Sequence, residues 1–387
     1  MNEMENHDTQ KVDYIIREFR DTKDDAELLA ECYNSWDNPE SWPGGFYHGE
    51  EVTAERILEH METDNPLSKL VVEVTEGIVG YCDVKPHFYE EDTVYVQLIG
   101  VSPEYQGLGI GKNLLLHALE KARRFDKKRI TLHTWGGNLK AVPLYKKTGY
   151  FWAPESSVYM ENFLPGILRE PLFRNFFNAF GWYATLERSL DLRPDGEQLE
   201  GMTIYRYFFK GNERNSLKVL IDQKAKEVCG FELHEGGQRL GATCRVKQHR
   251  AYVGYSRTPV IWTFKNKTKR PVRFTLTVET TDHVALENSP RALYTLDPGE
   301  ERVVKGRAKL KEHVQSTPKP ESPHERTKPL ITSHVSINGE EIDLTVGLVP
   351  IDPLEVQVVP MERSIIPGER TTIPIRVWNK TREHLTG

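Results

Sequence analysis

The sequence lacks the features that mark several broad classes of protein. No stretch approaches the roughly 18 consecutive apolar residues of a membrane-spanning helix, and residues 1–11 are polar and acidic, so neither membrane insertion nor secretion is predicted. The four cysteines, Cys32, Cys82, Cys229 and Cys244, contain no CxxC pair. They match neither a metal site nor a dense disulfide framework, and we expect free thiols in a reducing cytoplasm.

An excess of positive charge is also missing. Against 57 Asp and Glu stand 51 Lys and Arg, which gives a net charge of −6. This balance argues against nucleic acid or an anionic membrane as a partner. A small molecule or a basic partner fits it better.

The length and composition favour a globular protein of two or three domains. The chain has 387 residues, of which 38% are hydrophobic and 28% charged. Domains centre on roughly 100 to 150 residues, so one compact core is not expected. Residues 12–163 mix helical and strand periods, including a hairpin at 69–74 and 78–84, and are predicted to form an α/β or α+β domain.

The sequence pattern changes at residue 164. Apolar side chains at helical spacing predict a helical linker or docking segment over 164–200, and the alternative is that these side chains simply pack in a core. They are Leu172, Phe173, Phe176, Phe177 and Phe180. From residue 201 the chain reads as strand after strand, and the pair Asn338-Gly339 predicts a two-residue hairpin turn. We therefore expect a β-rich domain over 201–349 with an immunoglobulin-like sandwich.

A short internal sequence repeat points to a second module of the same kind. The segment around Asn266 recurs around Asn379, one immunoglobulin-like domain length further on. Residues 350–387 are accordingly predicted to be the start of a second, incomplete repeat. Both asparagines precede x-Thr, and with no secretion signal we interpret them as turn residues rather than glycosylation sites.

The strongest chemical signal is a strand, a glycine-rich turn and a helix between residues 94 and 125. Three glycines, Gly107, Gly109 and Gly111, lie where the helix begins. Several backbone N–H groups are therefore left open at the positive end of the helix dipole. This arrangement predicts a pyrophosphate cradle. A Walker A loop is excluded by Gln106 and Asn113, and the Rossmann fingerprint by Lys112 in place of its third glycine.

The same segment resembles the acetyl-CoA loop of the GNAT-type N-acetyltransferases, whose pattern is Gln or Arg, two residues, Gly, one residue, then Gly or Ala. Residues 101–105 before the loop and 138–150 after it also look like the family. The resemblance is close over residues 94–158, looser over 12–163, and absent beyond. It implies an acetyl-CoA-binding domain with a central mixed sheet over residues 1–163.

The resemblance also implies where the cosubstrate acetyl-CoA binds. Backbone groups of Ile99 and Val101 would pair with the pantetheine arm, in a gap between a bulged strand and the next strand. The pyrophosphate would be bound by the loop, which comprises Gln106, Gly107, Leu108, Gly109, Ile110 and Gly111. Asn138, which reads as a helix N-cap, would contact the arm.

The resemblance implies a general acid but leaves the general base open. By resemblance Tyr145 is the general acid that protonates the departing thiolate; the alternative is that Tyr145 is a half-buried core residue. The strand that carries a glutamate base in many relatives has Tyr95 and Gln97 instead. The open alternatives are Glu91, with its neighbours Glu90 and Asp92, and His133, although an acidic loop is usually a solvated turn.

The acceptor site is expected in an aromatic loop between the first two helices. Its candidate residues are Trp36, Trp42, Phe46 and Tyr47, with Tyr95 on the central strand. The alternative is that the aromatic loop is a hydrophobic plug or a contact with another domain. The leading hypothesis is acetyl transfer to a small-molecule or peptidyl amine. The alternative is a catalytically silent acyl-CoA sensor or scaffold whose β-sandwich binds a partner or polymer. Under either hypothesis, the β-sandwich is a candidate surface for a homodimer or a protein partner.

Overall fold

The computed structural model describes residues 12–37, 42, 46–64, 66–138, 140–255, 257–317, 322–358, 373 and 375–381. Its contacts divide the chain into two units. Unit 1 comprises residues up to Arg169 together with Arg188–Asp195, and unit 2 comprises Glu170–Glu187 and the residues from Gly196 onward. Parts of the aromatic loop, and most of the predicted repeat at 350–387, lie outside the described residues.

Unit 1 is an α/β domain around one mixed sheet. Its strands follow the order β1-β2-β3-β4-β6-β8-β7, and β5 pairs with β3 beside this path. The pairing of β4 with β6 is parallel, while the others are antiparallel. The strands are β1 (Ile15–Glu18), β2 (Ser68–Val74), β3 (Gly77–Pro86), β4 (Thr93–Val96), β5 (Ile99–Val101), β6 (Arg129–His133), β7 (Phe151–Trp152) and β8 (Tyr159–Asn162).

Helices cover both faces of this sheet because its strands are apolar on both sides. The helices are α1 (Lys23–Asn34), α2 (Ala54–Asp64), α3 (Ile110–Arg124), α4 (Ala141–Lys147) and α5 (Leu164–Ile167). On one face Leu114 and Ala118 of α3 pack with Val72 of β2, and on the other Leu29 of α1 packs with Val71. Adjacent residues of β2 thus serve opposite layers, as the strand period of two requires. The predicted hairpin at 69–74 and 78–84 is confirmed as β2 and β3.

The central strand is interrupted at its middle. β4 pairs with β6 as far as Val96 and Leu132, and after Gln97 and Leu98 the chain resumes as β5, which pairs with β3. Among the described residues no other strand pairs with β5. One edge of β5 is therefore open beside the point where β4 and β6 separate.

Residues 188–195 return to unit 1 and brace α4 and β7. The ammonium of Lys146 donates to the carbonyl of Arg193 at 2.7 Å and to Asp195 Oδ1 at 3.2 Å. The other oxygen of Asp195 accepts the backbone N–H of Trp152 at 2.7 Å. Because the Lys146 side chain is only 1% exposed, Asp195 compensates a buried charge.

Unit 2 is mostly β-sheet. A nine-stranded sheet has the order β10-β11-β12-β13-β14-β16-β20-β18, with β9 on β11, and a four-stranded sheet has the order β19-β17-β21-β22. Trp262, Phe264 and Leu344 are among its fully buried residues. Two small pairs, β15 with β23 and β24 with β25, complete the strands. Two helices, α6 (Arg174–Phe180) and α7 (Trp182–Thr185), precede the first sheet, which shows that the aromatic stripe is partly helical.

The strands of unit 2 are β9 (Leu186–Glu187), β10 (Glu197–Leu199), β11 (Met202–Asn212), β12 (Asn215–Asp222), β13 (Glu227–Glu235), β14 (Gln238–Val246), β15 (Arg250–Tyr252), β16 (Arg257–Lys267), β17 (Val272–Thr280), β18 (Val284–Glu287), β19 (Ala292–Leu296), β20 (Glu301–Leu310), β21 (Leu330–Ile337), β22 (Glu340–Gly347), β23 (Val349–Ile351), β24 (Leu354–Val358) and β25 (Ile375–Asn379).

Two local predictions in unit 2 are confirmed. Asn338 and Gly339 join β21 to β22 with φ of 52° and 103°, as a turn with two positive φ angles requires. Asn266 and Asn379 both form asparagine turns, since each Oδ1 accepts the N–H two residues on, at 2.9 and 2.8 Å. The four cysteines are free and buried.

Two further features can be stated for the described part of the chain. It contains no helix that is long and apolar enough to cross a membrane. Within the same residues, no group of three or more His, Cys, Asp and Glu side chains is arranged to bind a metal ion.

Candidate functional site

The glycine loop connects β5 to α3 in a conformation that its glycines make possible. Gly107 and Gly109 have φ of 80° and 82°, and Gly109 is the N-cap of α3. A Cβ at Gly107 would meet nothing within 4 Å, and one at Gly109 only the tip of Lys112 at 4.0 Å. These two glycines are therefore needed for backbone conformation rather than for lack of space.

Backbone N–H groups are the main donors of this loop. The first intrahelical bond of α3 runs from Asn113 N to Gly109 O at 3.1 Å, so the N–H groups before it have no acceptor within the helix. Gln106 ties the loop to the strand, because its side-chain amide donates to the carbonyl of Val101 at 3.1 Å. Leu108 packs against the core of the sheet, while Ile110 is fully buried in it.

The open edge of β5 lies directly before the loop. Ile99 and Val101 are half-buried there and pack against the core of unit 1. Between them, Gly100 contacts the indole of Trp36 so closely that a Cβ would approach Trp36 Cη2 to 2.6 Å. Trp36 is 2% exposed and therefore supports the strand from within the core.

Asn138 lies just before α4, and Tyr145 lies within this helix. The helix begins at Ala141, later than an N-cap at Asn138 would place it, yet Asn138 Oδ1 accepts the N–H of Ala141 at 3.3 Å. Its amide donates to Thr134 Oγ1 at 2.8 Å, which fixes its orientation. Tyr145 is 6% exposed, and burial raises its pKa above the usual range, so that its hydroxyl is protonated at neutral pH.

The two base candidates from the sequence lie in different surroundings. Glu91 is exposed, and its backbone carbonyl accepts from Lys127 at 2.6 Å. His133 ends β6, with Nε2 at 2.7 Å from Ser157 Oγ, and partial burial lowers its pKa. Neither residue is among those that line the pocket described below.

A carboxylate that the sequence analysis missed lies opposite the interruption of the central strand. Asp83 is 4% exposed, and its Oδ1 accepts the N–H groups of Gln97 and Leu98 at 2.9 and 2.8 Å. Its own N–H donates to the carbonyl of Leu98 at 3.1 Å. Burial raises the pKa of Asp83 from 3.8 to about 6, although Lys85 and the bonded N–H groups oppose the change. A charged residue directly after the apolar run of strand β3 was the available signal.

Asp83 is part of the wall of a pocket beside this interruption. The ammonium of Lys85 lies 2.5 Å from Asp64 Oδ2, 2.5 Å from Gln97 Oε1 and 3.9 Å from Asp83 Oδ2. The pocket encloses about 440 Å³ including its open mouth. Its lining combines aromatic and charged side chains: Tyr33, Tyr47, Ile57, His60, Met61, Asp64, Pro66, Tyr81, Asp83, Lys85, Gln97 and Leu98.

The predicted acceptor residues are divided between this pocket and the core. Tyr47 lines the pocket, with its hydroxyl 2.9 Å from His60 Nδ1. Phe46 is buried against Tyr33 and Trp36. The ring centroid of Trp42 lies 4.9 Å from that of Phe46 and 5.7 Å from that of Trp135, and both pairs of rings are tilted. Tyr95 is partly exposed on β4, next to the ring of Phe88.

The fold and the site together define a class of protein. A glycine loop with positive φ angles, a helix that presents N–H groups and a strand with an open edge form a donor set that suits a diphosphate joined to an extended polar arm. Residues 28–150 match the family model described as the acetyltransferase (GNAT) family. This match assigns residues 28–150 as a GNAT acetyltransferase domain.

Curated relatives match a part of the chain. A mycothiol acetyltransferase of Corynebacterium glutamicum is 36% identical over 84 residues, which are 22% of this chain and 28% of the relative. One from Nocardia farcinica is 26% identical over 150 residues, 38% of this chain and 48% of the relative. The chain thus spans less than two thirds of either relative.

Solved structures also match a part of the chain. A PaiA N-acetyltransferase from Thermoplasma acidophilum in complex with coenzyme A is 19% identical, with a TM-score of 0.33, and the match covers 39% of this chain and 98% of that one. A ribosomal-protein-alanine N-acetyltransferase from Brucella melitensis is 21% identical, with a TM-score of 0.32 and coverage of 39% and 99%.

Proposed function

We propose that unit 1 transfers the acetyl group of acetyl-CoA to a primary amine by direct attack within a ternary complex. The observation that carries the proposal is the open edge of β5 leading directly into the glycine loop at the start of α3. An extended arm could pair with the strand while its diphosphate reaches the loop. The match of residues 28–150 to an acetyltransferase family supports the same conclusion.

Binding of acetyl-CoA would rest mainly on backbone groups. Ile99 and Val101 would pair with the arm, and the N–H groups of residues 106–111 would bind the diphosphate. Asn138, oriented by Thr134, would contact the arm. Acetyl-CoA supplies an activated acyl group, a thioester whose carbonyl carbon accepts a nucleophile.

Tyr145 is proposed as the general acid. Its raised pKa keeps the phenol in the protonated form, so that a proton is available for the thiolate released by acyl transfer. The phenol would give its proton to that sulfur and recover one from the new amide nitrogen. Its burial next to the sheet keeps water from competing for this proton.

The acceptor would enter through the pocket beside the strand interruption. Tyr33, Tyr47 and Tyr81 offer ring faces, and Asp64 and Asp83 offer negative charge, which together suit an ammonium group. Curated relatives carry the names mycothiol acetyltransferase and putative ribosomal-protein-alanine N-acetyltransferase. The proposed acceptor class is accordingly a small-molecule or peptidyl amine.

The test is turnover with acetyl-CoA and a panel of tyramine, agmatine, spermidine, L-lysine and a peptide with N-terminal alanine, followed by release of free thiol. Tyr145→Phe should lower kcat roughly 100-fold or more and leave the Kd for acetyl-CoA within about 2-fold. Tyr150→Phe is the matched control, because this buried ring lies 6.1 Å from that of Tyr145. It should retain activity.

Acetyl-CoA binding without turnover of any amine would support the alternative of a silent acyl-CoA sensor. In that case acetyl-CoA would raise the melting temperature of the protein, as any ligand of the native state does. An absence of both binding and turnover would overturn both functions.

For unit 2 we infer an immunoglobulin-like sandwich that serves as a partner-binding or dimerisation module, within a cytoplasmic protein. The shared asparagine turns at Asn266 and Asn379 support the repeat, and the four free cysteines support a reducing compartment. Light scattering of the protein over a concentration series tests the dimer. A constant monomer mass up to high concentration would contradict it.

A further inference from the structure

Asp83 combines a structural and a chemical position that no other described carboxylate of the pocket shares. Its Oδ1 is occupied by the N–H groups of Gln97 and Leu98, which shape the interruption of the central strand. Its Oδ2 is not used there and lies 3.9 Å from the Lys85 ammonium, beyond hydrogen-bond distance. One oxygen therefore orders the backbone while the other remains available at the pocket wall.

The second acid of the pocket is differently placed. Asp64 is at the end of α2, its side chain is 43% exposed, and its Oδ2 accepts the Lys85 ammonium at 2.5 Å. Asp64 is thus neutralised by a close cation and screened by solvent. Asp83 is almost fully buried, so that its charge acts through a low dielectric on whatever enters the pocket.

We propose that Asp83 is the general base that accepts a proton from the acceptor ammonium before the amine attacks. The inference rests on the proposed function. An N–H bond of the ammonium breaks and its proton moves to Asp83 Oδ2, and the nitrogen lone pair then forms the C–N bond to the thioester carbon. The C–S bond breaks, the sulfur receives the proton of Tyr145, and the nitrogen returns one to Tyr145. The proton on Asp83 leaves to solvent.

The basicity of Asp83 agrees with this role. Burial raises its pKa to about 6, which makes it a stronger base than an exposed aspartate while it is still ionised at pH 7.5. The titratable and charged groups around it come from every neighbouring element: Tyr33 on α1, Tyr47 in the loop after it, His60 and Asp64 on α2, Tyr81, Cys82 and Lys85 on β3, and Tyr95 on β4.

The sharpest variant is Asp83→Asn, because the asparagine Oδ1 can still accept both N–H groups of the interruption. Removing the base should lower kcat about 100-fold or more, with the Kd for acetyl-CoA within about 2-fold of the wild type. The matched control is Asp64→Asn, which removes a carboxylate from the same pocket. It should change KM for the amine and lower kcat less than about 5-fold.

The pH profile provides a readout that a merely structural role would not move. For the panel amine that the wild type acetylates fastest, kcat/KM should fall on the acid side below about pH 6, as Asp83 becomes protonated. This limb should persist in His60→Gln and disappear in Asp83→Asn. A wild-type profile that is flat from pH 5 to 7 overturns the inference without any variant.

The outcomes separate this inference from the proposed function. Wild-type turnover that Asp83→Asn retains would overturn the role of Asp83 and leave the acetyltransferase intact. If Asp83→Asn also loses acetyl-CoA binding, the pH profile of the wild type and of His60→Gln decides. Acetyl-CoA binding with no turnover of any panel amine by the wild type would overturn both proposals.

Discussion

The two sides of the candidate site are made from different parts of the polypeptide. The loop after β5 presents backbone N–H groups from consecutive residues, and its side chains are largely dispensable to that role. The pocket proposed for the acceptor is formed mainly by side chains of α1, α2, β3 and the strand interruption, which are far apart in the sequence. A binding site made of backbone groups tolerates replacement of side chains but not a change in the backbone φ angles. A site made of side chains is instead sensitive to replacement of those side chains.

This difference has a functional consequence. Backbone donors bind the same diphosphate in any protein that keeps the turn, so the donor substrate can stay constant while the acceptor changes. The pocket can be altered one side chain at a time without disturbing the loop. Four predictions test this separation, from the largest expected effect to the smallest.

Gly109→Asp should have the largest effect. The carboxylate would repel the diphosphate and the new Cβ would strain a φ of 82°, so the Kd for acetyl-CoA should rise about 1000-fold, roughly 4 kcal/mol. Isothermal titration measures it. The control is Gly299→Asp in unit 2, where φ is 85° and a Cβ also meets nothing within 4 Å. Equal acetyl-CoA affinity in both variants would refute the loop assignment.

Asp195→Ala should destabilise the element that carries Tyr145. The buried ammonium of Lys146 would keep only the carbonyl of Arg193, and the N–H of Trp152 would lose its acceptor. We expect a loss of about 3 kcal/mol in the free energy of unfolding, measured with urea. Asp191→Ala is the control, since Asp191 pairs with Arg193 at the surface. A loss no greater than that of the control would contradict the bracing role.

Asp83→Asn should change the pH dependence of stability. Because the pKa of Asp83 is raised from 3.8 to about 6, the folded state binds a proton that the unfolded state has released between these values. Wild-type stability therefore falls as pH rises through this window. The variant should gain on the wild type by on the order of 2 kcal/mol between pH 4 and pH 7.5, measured by urea unfolding. An unchanged difference would show that Asp83 titrates normally.

Gly111→Ala should have the smallest effect. A Cβ at this position would lie 3.6 Å from Leu144 Cδ2 and 3.9 Å from Val101 Cγ2, which are ordinary contacts. The Kd for acetyl-CoA should change less than about 3-fold, below 1 kcal/mol. A large loss here, comparable to that of Gly109→Asp, would mean that close approach rather than φ governs the loop.

The backbone geometry of the glycine loop could be predicted from the sequence, whereas the pocket around Asp83 could not, for the same reason. Gly107, Gly109 and the helix after them are contiguous, so their local pattern specifies the geometry. Asp83 and Lys85 meet Asp64 and Gln97 only through the pairing of β3 with the interrupted strand, which no local period encodes. Trp36 shows the same limit. Its place in the aromatic loop suggested an acceptor-binding residue, whereas its indole packs beneath β5, where Gly100 has no side chain to exclude it.

The return of residues 188–195 to unit 1 bears on how the two units are inherited and dissected. The preceding stretch, Glu170–Glu187, belongs to unit 2, so the boundary between units is crossed three times along the chain. A fragment ending at Arg169 would leave Lys146 without Asp195 and Arg193. Unit 1 is therefore not one continuous segment, and a single cut after Arg169 would separate it from residues 188–195, which brace α4 and β7.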